Sequence, residues 1–159
     1  MPDVELTKTV PLPPQQAFDV FVQQMDTWWP RQGVFPYSFA PKSTRPLHIC
    51  FEAQPGGRYY ETFADGGEYI IGRINIWEPP ARLAYTWRDP TWQGETTIEL
   101  RFDDEGEGTH IRYQQNGFAA AGVPDLAAYY QIGCEQTLAA YFAHCRALGS
   151  LKELELSQD

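Results

Sequence analysis

The chain has 159 residues, 43% of them hydrophobic and 14% aromatic, and its 12 Lys and Arg against 21 Asp and Glu give a formal net charge of −9. This length suits one domain with a core that needs no disulfide or metal to support it. The acidic excess, without any basic run, disfavours nucleic acids and anionic membrane surfaces as partners, because both carry the same sign of charge.

The N-terminal part of the chain predicts a strand followed by a helix. Residues 3–10 alternate, with Val4, Leu6 and Val10 on one face, as in a strand with one buried side. Two prolines then suit the first turn of a helix, and residues 15–25 carry apolar side chains at helical spacing. The sequence Thr-Trp-Trp-Pro ends this helix.

The next segment, residues 31–46, combines several prolines with Phe35, Tyr37 and Phe39. A flexible linker would not carry three aromatic residues, so we expect an irregular loop or a short helical turn that packs on the domain.

From residue 47 the apolar pattern has a period of two, which predicts six strands joined by short connections. Asp65-Gly66 is a strong hairpin signal. Gly56-Gly57 precedes a strand pattern rather than a helix and lacks a Walker lysine, so it indicates a turn and not a phosphate loop. The predicted strands cover residues 47–53, 58–63, 68–77, 82–88, 95–103 and 109–118.

A long amphipathic helix is predicted for residues 124 to about 148, with Pro124 at its start. Gly133 in its middle weakens the helix, which indicates either a bend or the close approach of another group. We expect one domain, residues 1–150, and a polar tail, residues 151–159, that frays.

These elements predict an α+β protein of the helix-grip type. A curved antiparallel sheet of about seven strands would wrap on the long C-terminal helix, with one or two short helices after the first strand. The helix is the only element large enough to cover the sheet, and a curved sheet leaves space beneath such a helix. Concave space with aromatic walls is typical of a small-molecule site.

Several blocks of the sequence resemble the START-like (helix-grip, SRPBCC) superfamily, in particular the branch named after the activator of the heat-shock chaperone ATPase. They cover residues 10 to 145, in the family's order. The strongest is GRINIWEPPARLAYTW, and the others are PPQQAFDVFV, TWWP, PGGRYYE, TTIELRF and EGTHIRY. One departure is that the family often has Gly-Trp in the last helix, whereas this chain has Gly133-Cys134, a smaller side chain that would enlarge a pocket.

The candidate ligand-binding residues are mostly aromatic residues of the predicted strands, loop and helices. Trp28 and Trp29 would cover the cavity or pack in the core, and strand aromatics would either stack on a flat ligand or only fill the core. The full set is Trp28, Trp29, Tyr37, Phe39, Tyr59, Glu61, Phe63, Arg73, Trp77, Trp87, Tyr113, Tyr130 and Cys134.

Glu61 is the single candidate for catalysis. If its strand face is interior, this carboxylate could act as acid, base or polar anchor. The alternatives are that it lies in solvent or pairs with Arg73 on the next strand. Arg73 itself would be either a polar anchor inside or part of a solvated face.

The three cysteines, Cys50, Cys134 and Cys145, form no Cys-x-x-Cys motif, and their odd number is unlike a secreted disulfide framework. No signal peptide or transmembrane window is evident, so we expect reduced thiols and a cytoplasmic location. No histidine or cysteine spacing typical of a metal site or a Cys–His dyad occurs, and we expect no metal and no cofactor.

Three functions are compatible with these residues and with the resemblance. The first is binding or carriage of a small hydrophobic or aromatic molecule, without catalysis. The second is an enzyme of the cyclase, dehydratase or hydrolase type that uses Glu61 or a Tyr as acid or base. The third, implied by the family name, is stimulation of a chaperone ATPase in a stress response. A homodimer through an edge strand also remains open.

Overall fold

The residues described by the structure, a computed structural model covering 2–31 and 38–157, form one antiparallel seven-stranded sheet and three α-helices. The sheet order is β1-β7-β6-β5-β4-β3-β2. In chain order the elements are β1 (Val4–Val10), α1 (Pro14–Gln23), α2 (Met25–Trp28), β2 (Pro46–Phe51), β3 (Arg58–Phe63), β4 (Glu68–Glu78), β5 (Arg82–Trp87), β6 (Thr96–Glu105), β7 (Gly108–Asn116) and α3 (Ala127–Ser157), which follows a 3-10 turn at Pro124–Leu126. The predicted helix-grip fold is confirmed.

Irregular pairing bends the sheet in its middle strands. The register shifts between Tyr59 and Tyr60 where β3 pairs with β4, and between Ile74 and Ile76 where β4 pairs with β5. Such bulges increase the local twist and curl a sheet towards one face. Gly72 lies between these shifts, where a Cβ atom would be 1.8 Å from a backbone oxygen of β5. The concave face that results is the one covered by the helices.

The two glycine pairs are turns, as predicted. Gly56 and Gly66 have φ values of 74° and 88°, which favour glycine. The Asp65 carboxylate accepts a hydrogen bond from the Gly67 backbone N–H at 2.9 Å and fixes the turn between β3 and β4. Gly57 leads directly into β3 and precedes no helix, so no phosphate loop is present there.

Helix α3 contacts the core along only part of its length. In its middle and C-terminal part, Leu138 and Tyr141 are buried, and the Tyr141 hydroxyl donates a hydrogen bond to the Ala17 carbonyl of α1 at 2.6 Å. In its first turns, Tyr130 and Cys134 are only partly buried. The helix is therefore fixed on α1, while its N-terminal part covers the sheet without filling the space beneath.

The last helix is longer than predicted, since it continues to Ser157 through most of the tail that was expected to fray. The boundary at residue 150 stays a prediction. Residues 38–45 lie outside regular helices and strands, as expected. No helix among the residues described is long and apolar enough to cross a membrane.

Candidate ligand-binding cavity

A cavity of about 360 Å³ lies between the concave face of the sheet and the N-terminal part of α3. Its size is within the range of sites for small organic molecules. Two of its lining residues, Thr91 after β5 and Tyr129 in α3, are exposed to solvent, which locates the mouth between these elements. The cavity follows from the two features described above: the bulges curve the sheet, and α3 is fixed at its other end.

The structure brings together most of the residues that the sequence singled out. Trp28 packs against Phe21 and Tyr141, with ring centroids 5.4 and 5.2 Å apart, and Trp29 contacts Trp28 at 6.0 Å. Tyr37 lies outside the described residues. The predicted residues that line the cavity are Trp28, Trp29, Phe39, Tyr59, Glu61, Trp87, Tyr113, Tyr130 and Cys134.

Three predicted residues do not line the cavity. Phe63 is buried at the end of β3, beyond the cavity wall. Trp77 packs its ring edge-on against Phe18 of α1, with centroids 5.3 Å apart. Arg73 is exposed on the outer face of the sheet, because its strand position alternates with the inward Ile74. A ligand contact from these three stays a prediction, since none of them lines the cavity.

Sequence reasoning missed several lining residues. Tyr85 is two positions before Trp87 on β5, and Gln115 is two positions after Tyr113 on β7, so the period of a strand could have identified both. Ser38 lies in an irregular loop, where no pattern predicts which side chain points inwards. The main residues missed are Phe21, Met25, Ser38, Tyr85, Trp92 and Gln115.

One wall of the cavity consists of aromatic rings in mutual contact. Tyr59 stacks on Phe51, with centroids 4.4 Å apart and an interplanar angle of 15°. Tyr59 also meets Tyr85 edge-on at 5.2 Å and Trp87 at 5.8 Å. Phe39 extends this wall, with its ring 5.4 Å from Trp87. Because each ring is held by two or more others, the wall presents a fixed apolar surface to a ligand.

Glu61 is buried, with 1% of its surface exposed, and it lines the cavity. Its Oε2 accepts a hydrogen bond from the Ser38 hydroxyl at 2.6 Å, and its Oε1 accepts one from the Phe39 backbone N–H at 2.7 Å. Glu61 forms no pair with Arg73, because Arg73 lies opposite Arg58 and on the exposed face of the sheet. The sequence left open whether Glu61 faces the interior or solvent, and in the structure it faces the interior. Its carboxylate holds residues 38–39 at the edge of the cavity by hydrogen bonds.

Four tyrosine hydroxyls and one thiol face the cavity or its walls. Burial raises the pKa of Tyr59, Tyr85 and Tyr113 well above the usual range. It also raises the pKa of Tyr130 to about 12 and that of Cys134 to about 11. All five groups are therefore protonated at neutral pH, so Cys134 is not poised as a nucleophile.

A chain of hydrogen bonds connects the cavity to the sheet behind it. The Tyr113 hydroxyl and the Cys134 sulfur are 3.5 Å apart, and the Cys134 thiol donates to Gln115 Oε1 at 3.6 Å. Gln115 Nε2 donates to the Thr96 hydroxyl at 2.9 Å, which donates in turn to the Trp87 carbonyl at 2.9 Å. These contacts bind the polar groups of β5, β6, β7 and α3 into one network.

The indole N–H of Trp87, unlike its backbone carbonyl, takes no part in this network. Its Nε1 is buried and has no hydrogen-bond partner among the described residues. Burial dominates the pKa of Tyr130, but the nearby Trp87 indole acts in the opposite direction. The indole N–H therefore lies near the Tyr130 hydroxyl without the distance and angle of a hydrogen bond.

A second polar cluster lies beside the cavity, at α2. The carboxylate of Asp26 accepts hydrogen bonds from His48 Nδ1 at 2.8 Å, the Ile49 backbone N–H at 2.9 Å and Arg31 at 2.6 Å. Burial by itself would raise the pKa of Asp26, but these hydrogen bonds and the charge of Arg31 outweigh it and hold the pKa below the usual range. The cluster ties α2 to β2.

The parts of the chain that the structure describes contain no group of three or more His, Cys, Asp or Glu side chains placed to hold a metal ion. The three cysteines are free thiols.

Comparison with protein-family models gives a match over residues 11–144 to the Activator of Hsp90 ATPase homolog 1-like protein family. The chain belongs to this family. The match covers nearly the range in which the sequence motifs resembled it, so the START-like assignment is confirmed. A search of curated proteins gave no match.

Several solved structures share the fold of this chain. A protein from Chromobacterium violaceum is 21% identical over 90% of this chain and 96% of its own, with a TM-score of 0.64. A protein from Mesorhizobium loti is 20% identical over 91% of this chain and 94% of its own, with a TM-score of 0.62. Txn09, an anthrahydroquino-γ-pyrone synthase, is 28% identical over 91% of this chain and 99% of its own, with a TM-score of 0.58.

The family's fold is a scaffold for binding ligands. Gly133 and Cys134 lie side by side in α3. Both residues line the cavity, where a tryptophan in place of Cys134 would occupy part of the space.

Proposed function

We propose that this protein binds or carries a small, flat hydrophobic molecule in the cavity beneath α3. The observation that carries the proposal is the cavity of about 360 Å³ with its wall of interlocked aromatic rings. Burial of a flat apolar ligand against such rings is favourable because it removes apolar surface from water on both sides.

We propose that the protein is located in the cytoplasm.

The acidic groups narrow the class of ligand. Among the described residues that line the cavity, Glu61 and Asp89 carry charge, and both are acidic. An anionic ligand would pay for desolvation without a cationic partner, which disfavours fatty acids and phosphorylated compounds. An uncharged aromatic molecule meets no such penalty.

A direct test uses the uncharged fluorophore N-phenyl-1-naphthylamine and thermal shifts with a panel of flat aromatic compounds. We expect saturable fluorescence enhancement, and a ligand present at about 100 times its Kd should raise Tm by about 5–10 °C. The matched control is Cys134→Trp, which places a large side chain at a lining position and fills part of the cavity. This variant should fold and lose binding. Equal binding by both proteins, or no binding by either, would reject the cavity as the site.

Acid–base catalysis is the second candidate, favoured by the buried carboxylate of Glu61 in the cavity wall and by the synthase name of Txn09. In its simplest form, Glu61 would remove a proton from carbon next to a carbonyl group and return it. Deuterium exchange of 2-tetralone in D₂O, followed by NMR, tests this. Exchange above the buffer rate that disappears in Glu61→Gln would support catalysis, and exchange at the buffer rate would eliminate this form of it.

Stimulation of a chaperone ATPase, and dimer formation through a sheet edge, stay proposals that rest on the family name and on the exposed edge strands. A pull-down with the chaperone and a sedimentation measurement test them separately. A monomer without chaperone contact would remove both and leave ligand binding unaffected.

A further inference from the structure

The hydroxyls of two tyrosines in the cavity wall have no hydrogen-bond partner in the part of the chain that the structure describes. Tyr59 is 1% exposed and Tyr85 is 3% exposed, and both line the cavity. None of the hydrogen bonds among the described residues involves either hydroxyl. Neither hydroxyl oxygen is a fully enclosed atom without a partner, as the Trp87 Nε1 atom is, so both border the open space of the cavity. Each therefore has an O–H to donate to whatever occupies the cavity.

These two hydroxyls belong to one cluster with Tyr113 and Cys134. The rings of Tyr59 and Tyr85 meet at 5.2 Å, and each of the two acts on the pKa of Tyr113. The Cys134 thiol acts on all three. Four neutral groups are thus gathered at one side of the cavity, next to the wall of aromatic rings.

The hydrogen-bond chain behind this cluster can run in only one direction. Thr96 has a single proton, which it donates to the Trp87 carbonyl, so it must accept from the amide nitrogen of Gln115. This orients the Gln115 oxygen towards Cys134, whose thiol proton is then committed to it. The sulfur can only accept from Tyr113, which must donate its proton to Cys134.

The consequence is a division of roles among the three phenols. Tyr113 donates its hydroxyl proton in a hydrogen bond to Cys134, so towards the cavity its oxygen can only accept a hydrogen bond. Tyr59 and Tyr85 keep protons that they can donate. A hydroxyl group on a ligand accepts two hydrogen bonds and donates one, which matches this set, whereas an ether or carbonyl oxygen has no proton to donate to the Tyr113 oxygen.

We propose that the cavity selects an uncharged aromatic compound with a ring hydroxyl, which accepts from Tyr59 and Tyr85 and donates to Tyr113. This inference rests on the proposed ligand-binding function and names the class of ligand. The acidic lining groups favour the neutral hydroxyl over its anion, since the cavity has no cationic lining residue among those described.

The test compares 2-naphthol, 2-methoxynaphthalene and naphthalene by equilibrium dialysis at pH 7. These probes share one ring system and differ in offering a donor and acceptor, an acceptor alone, or neither. We expect 2-naphthol to bind about tenfold more tightly than 2-methoxynaphthalene, as the loss of one buried hydrogen bond implies. Tyr113→Phe should remove this preference, whereas a preference caused by the bulk of the methyl group would persist.

Two substitutions of Cys134 test in which direction the hydrogen bond between Tyr113 and Cys134 is donated. Cys134→Ala frees the Tyr113 proton, which can then replace one of the two other phenol donors to the oxygen of 2-methoxynaphthalene, so the preference for 2-naphthol should shrink several-fold. Cys134→Ser is the matched control, because its hydroxyl can still accept from Tyr113 and donate to Gln115, and it should keep the preference.

The outcomes separate this inference from the proposed function. If the naphthalenes bind but wild type shows no preference, or Cys134→Ala and Cys134→Ser behave alike, the hydroxyl inference is wrong and ligand binding stands. If none of the three probes binds, while N-phenyl-1-naphthylamine does, the inference is also wrong. If no flat aromatic compound binds at all, both the inference and the proposed function are rejected.

Discussion

Replacing Glu61 by Gln tests how the cavity edge is held. The carboxylate accepts two short hydrogen bonds, from the Ser38 hydroxyl and the Phe39 backbone N–H, at 2.6 and 2.7 Å. Phe39 in turn contacts Tyr69 and Trp87, with ring centroids 4.8 and 5.4 Å apart. Glu61 therefore fixes both the loop and one ring of the cavity wall.

The expected cost follows from the groups that remain. Hydrogen bonds to a charged group contribute about 1.5–3 kcal/mol each, against about 1 kcal/mol for neutral pairs. The Gln oxygen can still accept from Phe39, but its N–H₂ group faces Ser38, whose own proton loses its acceptor. We expect the free energy of unfolding to fall by about 2 kcal/mol and Tm by about 4–8 °C.

Urea unfolding followed by tryptophan fluorescence measures this difference. Glu68→Gln is the control, because Glu68 is 46% exposed and its ion pair with Arg58 at 3.1 Å is of the surface type, worth less than about 1 kcal/mol. A double-mutant cycle of Glu61→Gln with Ser38→Ala should give a coupling of about 1 kcal/mol. Glu61→Gln within about 0.5 kcal/mol of wild type, or no more costly than Glu68→Gln, would refute the reasoning.

Three further predictions concern Tyr141, Asp26 and Cys134. Tyr141→Phe should cost about 1 kcal/mol in urea unfolding, since it removes the hydrogen bond to Ala17 without creating a void; an unchanged midpoint would contradict this. The fold lowers the pKa of Asp26, so this residue stabilises the protein above about pH 4, and the stabilisation is lost as the pH falls through the folded pKa. Asp26→Asn should therefore be less stable than wild type at pH 7 and lose less of its free energy of unfolding on acidification. Equal losses below pH 4 would count against it. With a pKa of about 11, Cys134 has about one thiolate in a thousand at pH 8, so iodoacetamide should label it far more slowly than an unfolded-state thiol, by mass spectrometry; labelling at the unfolded rate would be the contrary result.

Local periodicity was sufficient for the elements and for many of the cavity residues. Tyr113 in β7 and Trp87 in β5 were predicted as cavity residues. Because residues two apart in a strand share a face, the same alternation identifies Gln115 and Tyr85, which were not predicted. It could not say whether Glu61 faces inwards, because an alternating strand has two faces and the pattern does not name the buried one when both carry aromatic residues.

The sequence by itself determined the order of strand, helices, meander and final helix, because turn residues and apolar spacing act within a few residues of one another. Only the tertiary structure decided that Arg73 faces solvent opposite Arg58, since a bulge shifts the register there. It also decided that Cys134 joins Tyr113 to Gln115, a contact between a helix and a strand about 20 residues apart. Such contacts depend on how a curved sheet and a rigid helix meet, and no local pattern encodes that geometry.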